Sequence, residues 1–270
     1  MGFLQLGDRR LHYEDVGIGR PVLLLHGFTN YGLSWTPQLA ALVHSGYRVI
    51  LPDLRGHGIS SPATPPCAVS DLGADLIGLL NHLDAGPVAL CGLSLGGMIA
   101  LQIAVDQPDR VAALVVADSQ PYFTGPDITA MVESWVELFR QQDGPRKRLQ
   151  ATWPALVNEE FRASATGRAA YDVWARILAT VDAASLCHVA RGMAGFDLRA
   201  RLSAVRAPAL VIAGEYDRLF SPNQSREMAE RIAGARCSVI AGAGHLSNLD
   251  STDRFNPLLL DFLAAHFPSV

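Results

Sequence analysis

Short apolar runs alternate along this chain with longer segments in which apolar residues recur at helical spacing. Leucine and valine positions within 69–83 recur every three or four residues, and 98–105 is apolar nearly all round. The first pattern predicts an amphipathic helix and the second a helix buried on both sides. Strands are predicted at 2–6, 10–16, 22–25, 47–51, 88–91, 111–117, within 209–217, and at 236–240. Such alternation of strands and helices is typical of βαβ units, and it predicts an α/β fold.

The strand pattern stops at Ser119 and resumes after about Val205. Helical patterns occupy this stretch around 128–142, 145–156, 169–180 and 185–193. We expect such an insertion to form a cap over the carboxyl ends of the strands, where open α/β sheets bind ligands. The predicted organisation is a core of residues 1–118 and 206–270 with a helical cap insertion of residues 119–205.

Substrate choice would be made in this cap, so its aromatic and basic residues are the candidates for substrate contact. Packing, or a solvated surface charge, is the simpler interpretation of each one. An arginine among them would bind a substrate carboxylate through a bidentate fork. The candidates are Trp135, Trp153, Trp174 and Arg176, with Arg191 as a further basic side chain.

Ser94 lies in Gly92-Leu93-Ser94-Leu95-Gly96, between the apolar run 88–91 and the apolar helix that follows. The bare Gly-x-Ser-x-Gly pattern arises easily by chance in a chain with 24 glycines, so the context carries the argument. A strand that reverses sharply into a helix strains its apical residue and lifts the side chain clear of the sheet. The segment therefore predicts a nucleophile elbow with Ser94 at its apex.

A serine hydroxyl needs a histidine base and an acid that orients it, in the chain order Ser, Asp or Glu, His. His245 is the candidate base, since it follows the strand-like run 236–240 in a glycine-rich loop. Asp217 is the preferred acid, with its neighbour Glu215 as a weaker candidate. Asp118 remains an alternative, because it directly follows the apolar run 111–117 and also precedes His245.

Stabilising an oxyanion takes two N–H donors, one after the nucleophile and one from a loop after an early strand. Leu95 supplies the first, and Phe28 in His26-Gly27-Phe28 supplies the second. His26 is interpreted as structural, with its ring bonded to the backbone.

Composition fits a single α/β domain and excludes several other classes. With 270 residues, 49% of them hydrophobic, the chain can bury a large core. Its net charge of −4 argues against a protein that binds nucleic acid. No segment approaches the ~20 apolar residues of a membrane span, and the N-terminus lacks the apolar core of a signal peptide. Cys67, Cys91, Cys187 and Cys237 are scattered, as in a reducing cytosol. We expect a cytoplasmic protein without metal or organic cofactor, and leave its oligomeric state open.

The motifs HGF at 26–28, DLRGHGIS at 53–60, GLSLGG at 92–97, GEYD at 214–217 and GAGH at 242–245 resemble those of the α/β-hydrolase superfamily. The resemblance implies a mostly parallel, eight-stranded sheet flanked by helices, with Ser94, Asp217 and His245 as the triad. It also implies that the 53–58 loop is structural. Within the superfamily, the segments 91–104, 108–119 and 241–263 are most similar to 3-oxoadipate enol-lactonases and related esterases.

The activity expected from these residues is hydrolysis of an ester or lactone of a small molecule through an acyl-enzyme. Three alternatives keep the same fold: carbon–carbon bond hydrolysis of a ring-cleavage product, a cofactor-free perhydrolase, and a ligand-binding receptor. Serine at position 94, rather than aspartate, argues against a dehalogenase or an epoxide hydrolase. Fold alone does not decide among the alternatives.

Overall fold

The computed structural model of the protein describes residues 1–65 and 67–269. Its strands are β1 (Gly2–Leu6), β2 (Arg9–Val16), β3 (Arg20–Leu25), β4 (Tyr47–Pro52), β5 (Val88–Leu93), β6 (Val111–Ala117), β7 (Tyr122–Phe123), β8 (Phe196–Asp197), β9 (Ala209–Gly214) and β10 (Arg236–Ile240). Its helices are α1 (Thr36–His44), α2 (Val69–His82), α3 (Leu95–Asp106), α4 (Pro126–Phe139), α5 (Gly144–Leu156), α6 (Glu159–Ala163), α7 (Ala165–Leu178), α8 (Ala183–Met193), α9 (Pro222–Glu230), α10 (Ser247–Asp250) and α11 (Thr252–His266).

Eight strands form one sheet in the order β1-β2-β4-β3-β5-β6-β9-β10. Within it β2 pairs antiparallel with both β1 and β4, and every other pairing is parallel. The mostly parallel, eight-stranded sheet that the resemblance implied is therefore confirmed. The order places β5 at the centre, with β3 on one side and β6 on the other.

Burial explains why the central elements were visible in the sequence. Every residue of β5 is buried, and ten of the twelve residues of α3 are buried as well, because α3 lies against the sheet and under α2. By contrast, α2 buries one face, which includes Leu72, Leu76 and Leu79. Fully buried strands give continuous apolar runs, whereas a half-buried helix gives the 3.6-residue period.

Five helices, α4 to α8, lie between β6 and β9, where the helical insertion was predicted. The short antiparallel pair β7–β8 joins the start of this segment to its end. The sequence did not predict that pair, because two-residue strands are too short to show alternation. It also did not predict α6, a five-residue helix whose N-cap is Asn158 and whose residues are mostly charged. In the described ranges no single helix has the length and apolarity to cross a membrane, although the bent pair α7 and α8 reaches both when joined.

All four cysteines are free thiols. Cys67, Cys91 and Cys187 are buried, and Cys237 is half-buried on β10. Burial raises the pKa of Cys67 to about 11 and raises that of Cys91 further still. These thiols are protonated at neutral pH and pack as small hydrophobic side chains.

Candidate active site

Five segments that carry candidate chemistry meet at one edge of the sheet. Phe28 follows β3, Ser94 follows β5, Asp118 follows β6, Asp217 follows β9 and His245 follows β10. These strands are parallel and adjacent, so their carboxyl ends lie side by side. The edge is where α/β sheets place their ligand sites.

Ser94 adopts the strained backbone conformation expected at the apex of an elbow, with φ 54° and ψ −116°. A non-glycine residue in this region costs about 1–3 kcal/mol, so its surroundings must hold it there. Ser94 N–H donates to the carbonyl of Ala117 at 3.0 Å, and the Ser119 hydroxyl donates to the Ser94 carbonyl at 2.7 Å. Both contacts come from β6 and the residues after it, which anchor the elbow on its neighbouring strand.

The elbow closes only because two of its residues lack a side chain. A Cβ at Gly92 would collide with the backbone of Gly96, and a Cβ at Gly96 would collide with the carbonyl of Leu25 on β3. The turn therefore packs backbone against backbone at both positions. This explains the Gly-x-Ser-x-Gly spacing in physical terms.

His245 and Asp217 form a hydrogen-bonded pair in the interior. His245 Nδ1 donates to Asp217 Oδ2 at 2.8 Å. The other carboxylate oxygen of Asp217 accepts from the backbone N–H groups of Leu219 and Phe220, at 2.8 and 3.0 Å. These bonds fix the carboxylate, which in turn fixes the ring and leaves Nε2 as the nitrogen without the proton. The structure thus places Asp217, not Asp118, against His245.

Asp118 is wholly buried beside this pair and bonds elsewhere. Its Oδ1 accepts from Gly214 N–H at 2.8 Å, and its Oδ2 lies 2.5 Å from the hydroxyl and 3.2 Å from the N–H of Ser247. Burial, together with the neighbouring charge of Asp217, raises the pKa of Asp118 to about 8. Asp118 joins the end of β9 to the loop after His245, so it supports both members of the pair.

The electrostatics of the pair raise the basicity of the His245 ring. Burial by itself lowers the pKa of His245, but the charge and the hydrogen bond of Asp217 outweigh it, and the pKa is raised above its ordinary value. Nearby Arg148 opposes this effect. A ring that gains stability on protonation is suited to receive a proton from a hydroxyl.

Phe28 and Leu95 present backbone N–H groups that donate to no other described residue. The next residue, Thr29, has φ 64° and is held from both sides. Its N–H donates to His57 Nε2 at 3.1 Å, and its carbonyl accepts from Trp174 Nε1 of α7 at 2.6 Å. The loop that carries the Phe28 N–H is therefore pinned between the core and the cap.

His26 and His57 are structural, as the sequence suggested for both. His26 Nδ1 donates to the Gly27 carbonyl and its Nε2 accepts from Leu54 N–H; His57 Nδ1 donates to the Arg55 carbonyl. Burial lowers the pKa of both rings, that of His57 to about 3. Each ring donates once and accepts once, which requires the neutral form.

Ser94 and His245 line a cavity of about 460 Å³ between the sheet edge and the cap. Two of the predicted cap residues, Trp135 and Trp174, line it as well. Trp153 does not, because it is buried against Trp174 and Tyr171. Arg176 lies on the exposed face of α7 outside the lining.

Arg148 is a charged residue of this lining that was not selected from the sequence. Arg148 of α5 is buried and faces the cavity, whereas the predicted Arg191 pairs with Glu133 on the surface. A signal was present, since Arg148 lies at the edge of the apolar stripe that Pro145, Leu149, Trp153 and Leu156 form on α5. However, Arg148 directly follows Arg146 and Lys147, so the sequence suggests a solvent-exposed basic segment. No group of three or more His, Cys, Asp or Glu side chains in residues 1–65 and 67–269 is arranged to hold a metal ion.

The chain is similar to known proteins over most of its length. The model of the α/β hydrolase fold family matches residues 20–252. A putative carbamate hydrolase RutD of Variovorax paradoxus (strain S110) is 32% identical, over 94% of this chain and 96% of the relative.

Two solved structures superpose closely on the chain. The enol-lactonase from Burkholderia xenovorans LB400 is 25% identical, with a TM-score of 0.90 over 97% of this chain and 100% of the other. A thermophilic esterase from Thermogutta terrifontis, solved with malate bound, is 31% identical, with a TM-score of 0.87 over 96% and 94%. With the family model spanning most of its length, the chain belongs to the α/β-hydrolase family.

Proposed function

We propose that the protein hydrolyses a carboxylic ester or lactone of a small organic molecule through an acyl-enzyme formed on Ser94. The observation that carries the proposal is that a strained serine and a carboxylate-bound histidine line one cavity, with an unused N–H group at Phe28 in the lining and another at Leu95, directly after Ser94. This combination meets the requirements for acyl transfer: a nucleophile, an oriented base and an oxyanion site.

In the first half-reaction, His245 Nε2 takes the Ser94 proton while Oγ attacks the carbonyl carbon. The carbonyl oxygen becomes an oxyanion, and the N–H groups of Phe28 and Leu95 stabilise it. The intermediate collapses when the carbon–oxygen bond to the leaving group breaks and His245 returns the proton to the departing oxygen. Asp217 holds the tautomer and stabilises the imidazolium throughout.

In the second half-reaction, His245 deprotonates a water molecule that attacks the acyl-enzyme. The same oxyanion site stabilises the second intermediate, which releases the acid and regenerates the Ser94 hydroxyl. The proton taken from Ser94 leaves on the departing oxygen and a proton from water replaces it on Ser94, so the cycle consumes only water and substrate. The proposed chemistry needs no metal or organic cofactor.

Enol-lactonase and esterase relatives support the carboxylic ester as the bond that is cleaved. The proposal includes the division into a core, residues 1–118 and 206–270, and a cap, residues 119–205, that shapes the cavity. Trp135 and Trp174 line that cavity, so they are the proposed aromatic contacts of the substrate.

A carbamate is a second candidate substrate. The Variovorax relative, at 32% identity, is described as a putative carbamate hydrolase, and a carbamate carbonyl is open to the same serine attack. The ester remains the first choice because it is the more reactive of the two carbonyls.

Initial rates of the wild type and of Ser94→Ala test the proposal across 4-nitrophenyl esters, neutral lactones, an aryl carbamate and a meta-cleavage dienone. We expect ester or lactone turnover in the wild type and a loss of at least about 1,000-fold in the variant. A circular dichroism melt shows that the variant folds. Ester turnover retained by folded Ser94→Ala would overturn the proposal, and turnover of the dienone alone would replace it with carbon–carbon bond hydrolysis.

A further inference from the structure

Arg148 is an unpaired cation in the interior. Its side chain is 8% exposed, and its Nε is buried without a hydrogen-bond partner. Within residues 1–65 and 67–269, its guanidinium makes no hydrogen bond or ion pair. Buried charges in proteins are normally paired, because an isolated one loses its hydration without compensation. An arginine in this state is a binding group without its anion.

Aromatic rings hold the guanidinium in place without satisfying its hydrogen-bond donors. Its central carbon lies 4.3 Å from the ring centre of Trp135, 5.3 Å from that of Phe28 and 6.0 Å from that of Phe139. Such contacts stabilise a desolvated cation and restrict its orientation. Burial lowers the pKa of Arg148 to about 10, which leaves the side chain charged at neutral pH. The planar donors are thus charged, oriented and unused.

The cavity around Arg148 offers no competing anion at depth. Arg148 lines the same space as Ser94 and His245, and its charge is close enough to oppose the rise in the pKa of His245. The one carboxylate in the lining, Asp127, is solvent-exposed. Most of the remaining wall is apolar or aromatic. A ligand that fills this space therefore meets one buried positive charge.

We propose that Arg148 is a specificity residue that binds a carboxylate carried by the acyl part of the substrate. The substrate class is then an ester or lactone with a second, ionised carboxyl group, held by the guanidinium fork while Ser94 attacks the other carbonyl. The attack by Ser94 in this inference rests on the proposed function. The binding of the carboxylate, its binding half, rests on the cavity alone. A planar carboxylate matches the fork better than a neutral polar group does.

The kinetic test compares matched charged and neutral esters. Mono(4-nitrophenyl) glutarate carries the carboxylate, and 4-nitrophenyl 5-methylhexanoate replaces it with an isopropyl group of similar shape. We expect the wild type to prefer the anionic ester in kcat/KM, and Arg148→Met to reduce the ratio of anionic to neutral kcat/KM by about 100-fold. Loss of packing against Phe28 lowers kcat/KM for both esters together. The ratio of the two kcat/KM values therefore reports only the effect on the carboxylate.

Arg176→Met is the matched control, since it removes an exposed cap arginine outside the cavity. It should leave the ratio unchanged. An equal loss on both esters in Arg148→Met, or a wild type with no preference for the anion, would overturn the inference. If Arg148→Met fails to fold, Arg148→Gln takes its place with the same expected loss in the ratio, and an unchanged ratio in that variant would overturn the inference.

Calorimetric titration of glutarate into Ser94→Ala and into Ser94→Ala/Arg148→Met tests the binding half without turnover. Binding to the first protein and a loss of at least about 30-fold in affinity for the second would support the carboxylate site. Equal affinities would overturn it. If the wild type hydrolyses neither ester while glutarate binding depends on Arg148, the proposed function fails and the carboxylate site stands.

Discussion

Replacing Trp174 with phenylalanine should lower catalysis through a hydrogen bond rather than through the substrate pocket alone. Trp174 Nε1 donates to the Thr29 carbonyl at 2.6 Å, and both residues are at least 95% buried. The same Thr29 peptide follows Phe28, whose N–H is assigned to the oxyanion. Trp174→Phe keeps an aromatic ring in α7 but removes the donor that holds this loop.

The size of the expected effects follows from the Thr29 carbonyl, which the substitution leaves without a hydrogen-bond donor. A buried carbonyl without its donor costs about 1–3 kcal/mol, which for a chain of this size corresponds to a fall in Tm of roughly 3–10 °C. Complete loss of one oxyanion donor costs about 100- to 1,000-fold in kcat. Here the Phe28 N–H is displaced rather than removed, and His57 still holds Thr29 from the other side. We therefore expect a loss of about 10-fold in kcat, or ~1.4 kcal/mol in the barrier.

Trp153→Phe is the matched control, because Trp153 is also buried in the cap and touches Trp174 but lies outside the cavity. It should lower Tm by a similar amount and change kcat by less than about threefold. Steady-state kinetics with 4-nitrophenyl acetate, which carries a small acyl group, separate kcat from KM. Equal effects of the two substitutions on kcat would refute the role of the hydrogen bond.

Three further predictions concern titratable groups. Asp217→Asn should lower kcat by about 10,000-fold by favouring the wrong tautomer of His245. Asp118→Asn should lower kcat by less than about 30-fold, because Asp118 does not contact the ring. Stopped assays of kcat compare the two variants under conditions in which both are folded, and a larger loss in Asp118→Asn would assign the acid to Asp118. Since His245 must be neutral to act as base and its pKa is raised, kcat/KM should fall as pH drops through a midpoint above the ordinary 6.5; a midpoint at or below 6.5 in the pH–rate profile would contradict this. His57 is neutral in the folded state, with its pKa lowered to about 3, so the free energy of unfolding should decline as pH falls from about 6.5 towards 3. Urea titrations at pH 7 and 4.5 should show a smaller decline in the free energy of unfolding for His57→Gln than for the wild type. An identical decline in the two proteins would reject the assignment of His57 as a neutral, buried ring.

The central strands of the fold could be predicted because they are buried on both faces, whereas the edge strand β10 is only partly buried. The runs 111–117 and 236–240 coincide with β6 and β10, and the helix expected at 69–83 is α2 with one residue fewer. The β7–β8 pair was not readable, because its pairing joins Tyr122 and Phe123 to residues more than seventy positions away. Such contacts have no local pattern.

The residues of the candidate site also differ in how far the sequence alone could predict them. Ser94 and His245 were identified from motifs, since the chemistry needs these residue types in a fixed chain order. The choice between Asp217 and Asp118 needed the distance to His245, because both acids follow strands that end at the same edge. Arg148 was missed because its burial depends on how α5 packs over the cavity, which sequence spacing alone does not give.

Mass spectrometry of the protein after reaction with a fluorophosphonate tests the central claim most directly. Ser94, activated by His245, should carry one covalent phosphonyl group, mapped to the peptide that contains residues 92–97. Ser94→Ala should take up none, while His245→Ala, with Ser94 present but its base removed, should react at least about 100-fold more slowly. Label on any other residue, or equal labelling of folded Ser94→Ala, would contradict the assignment of Ser94 as the nucleophile.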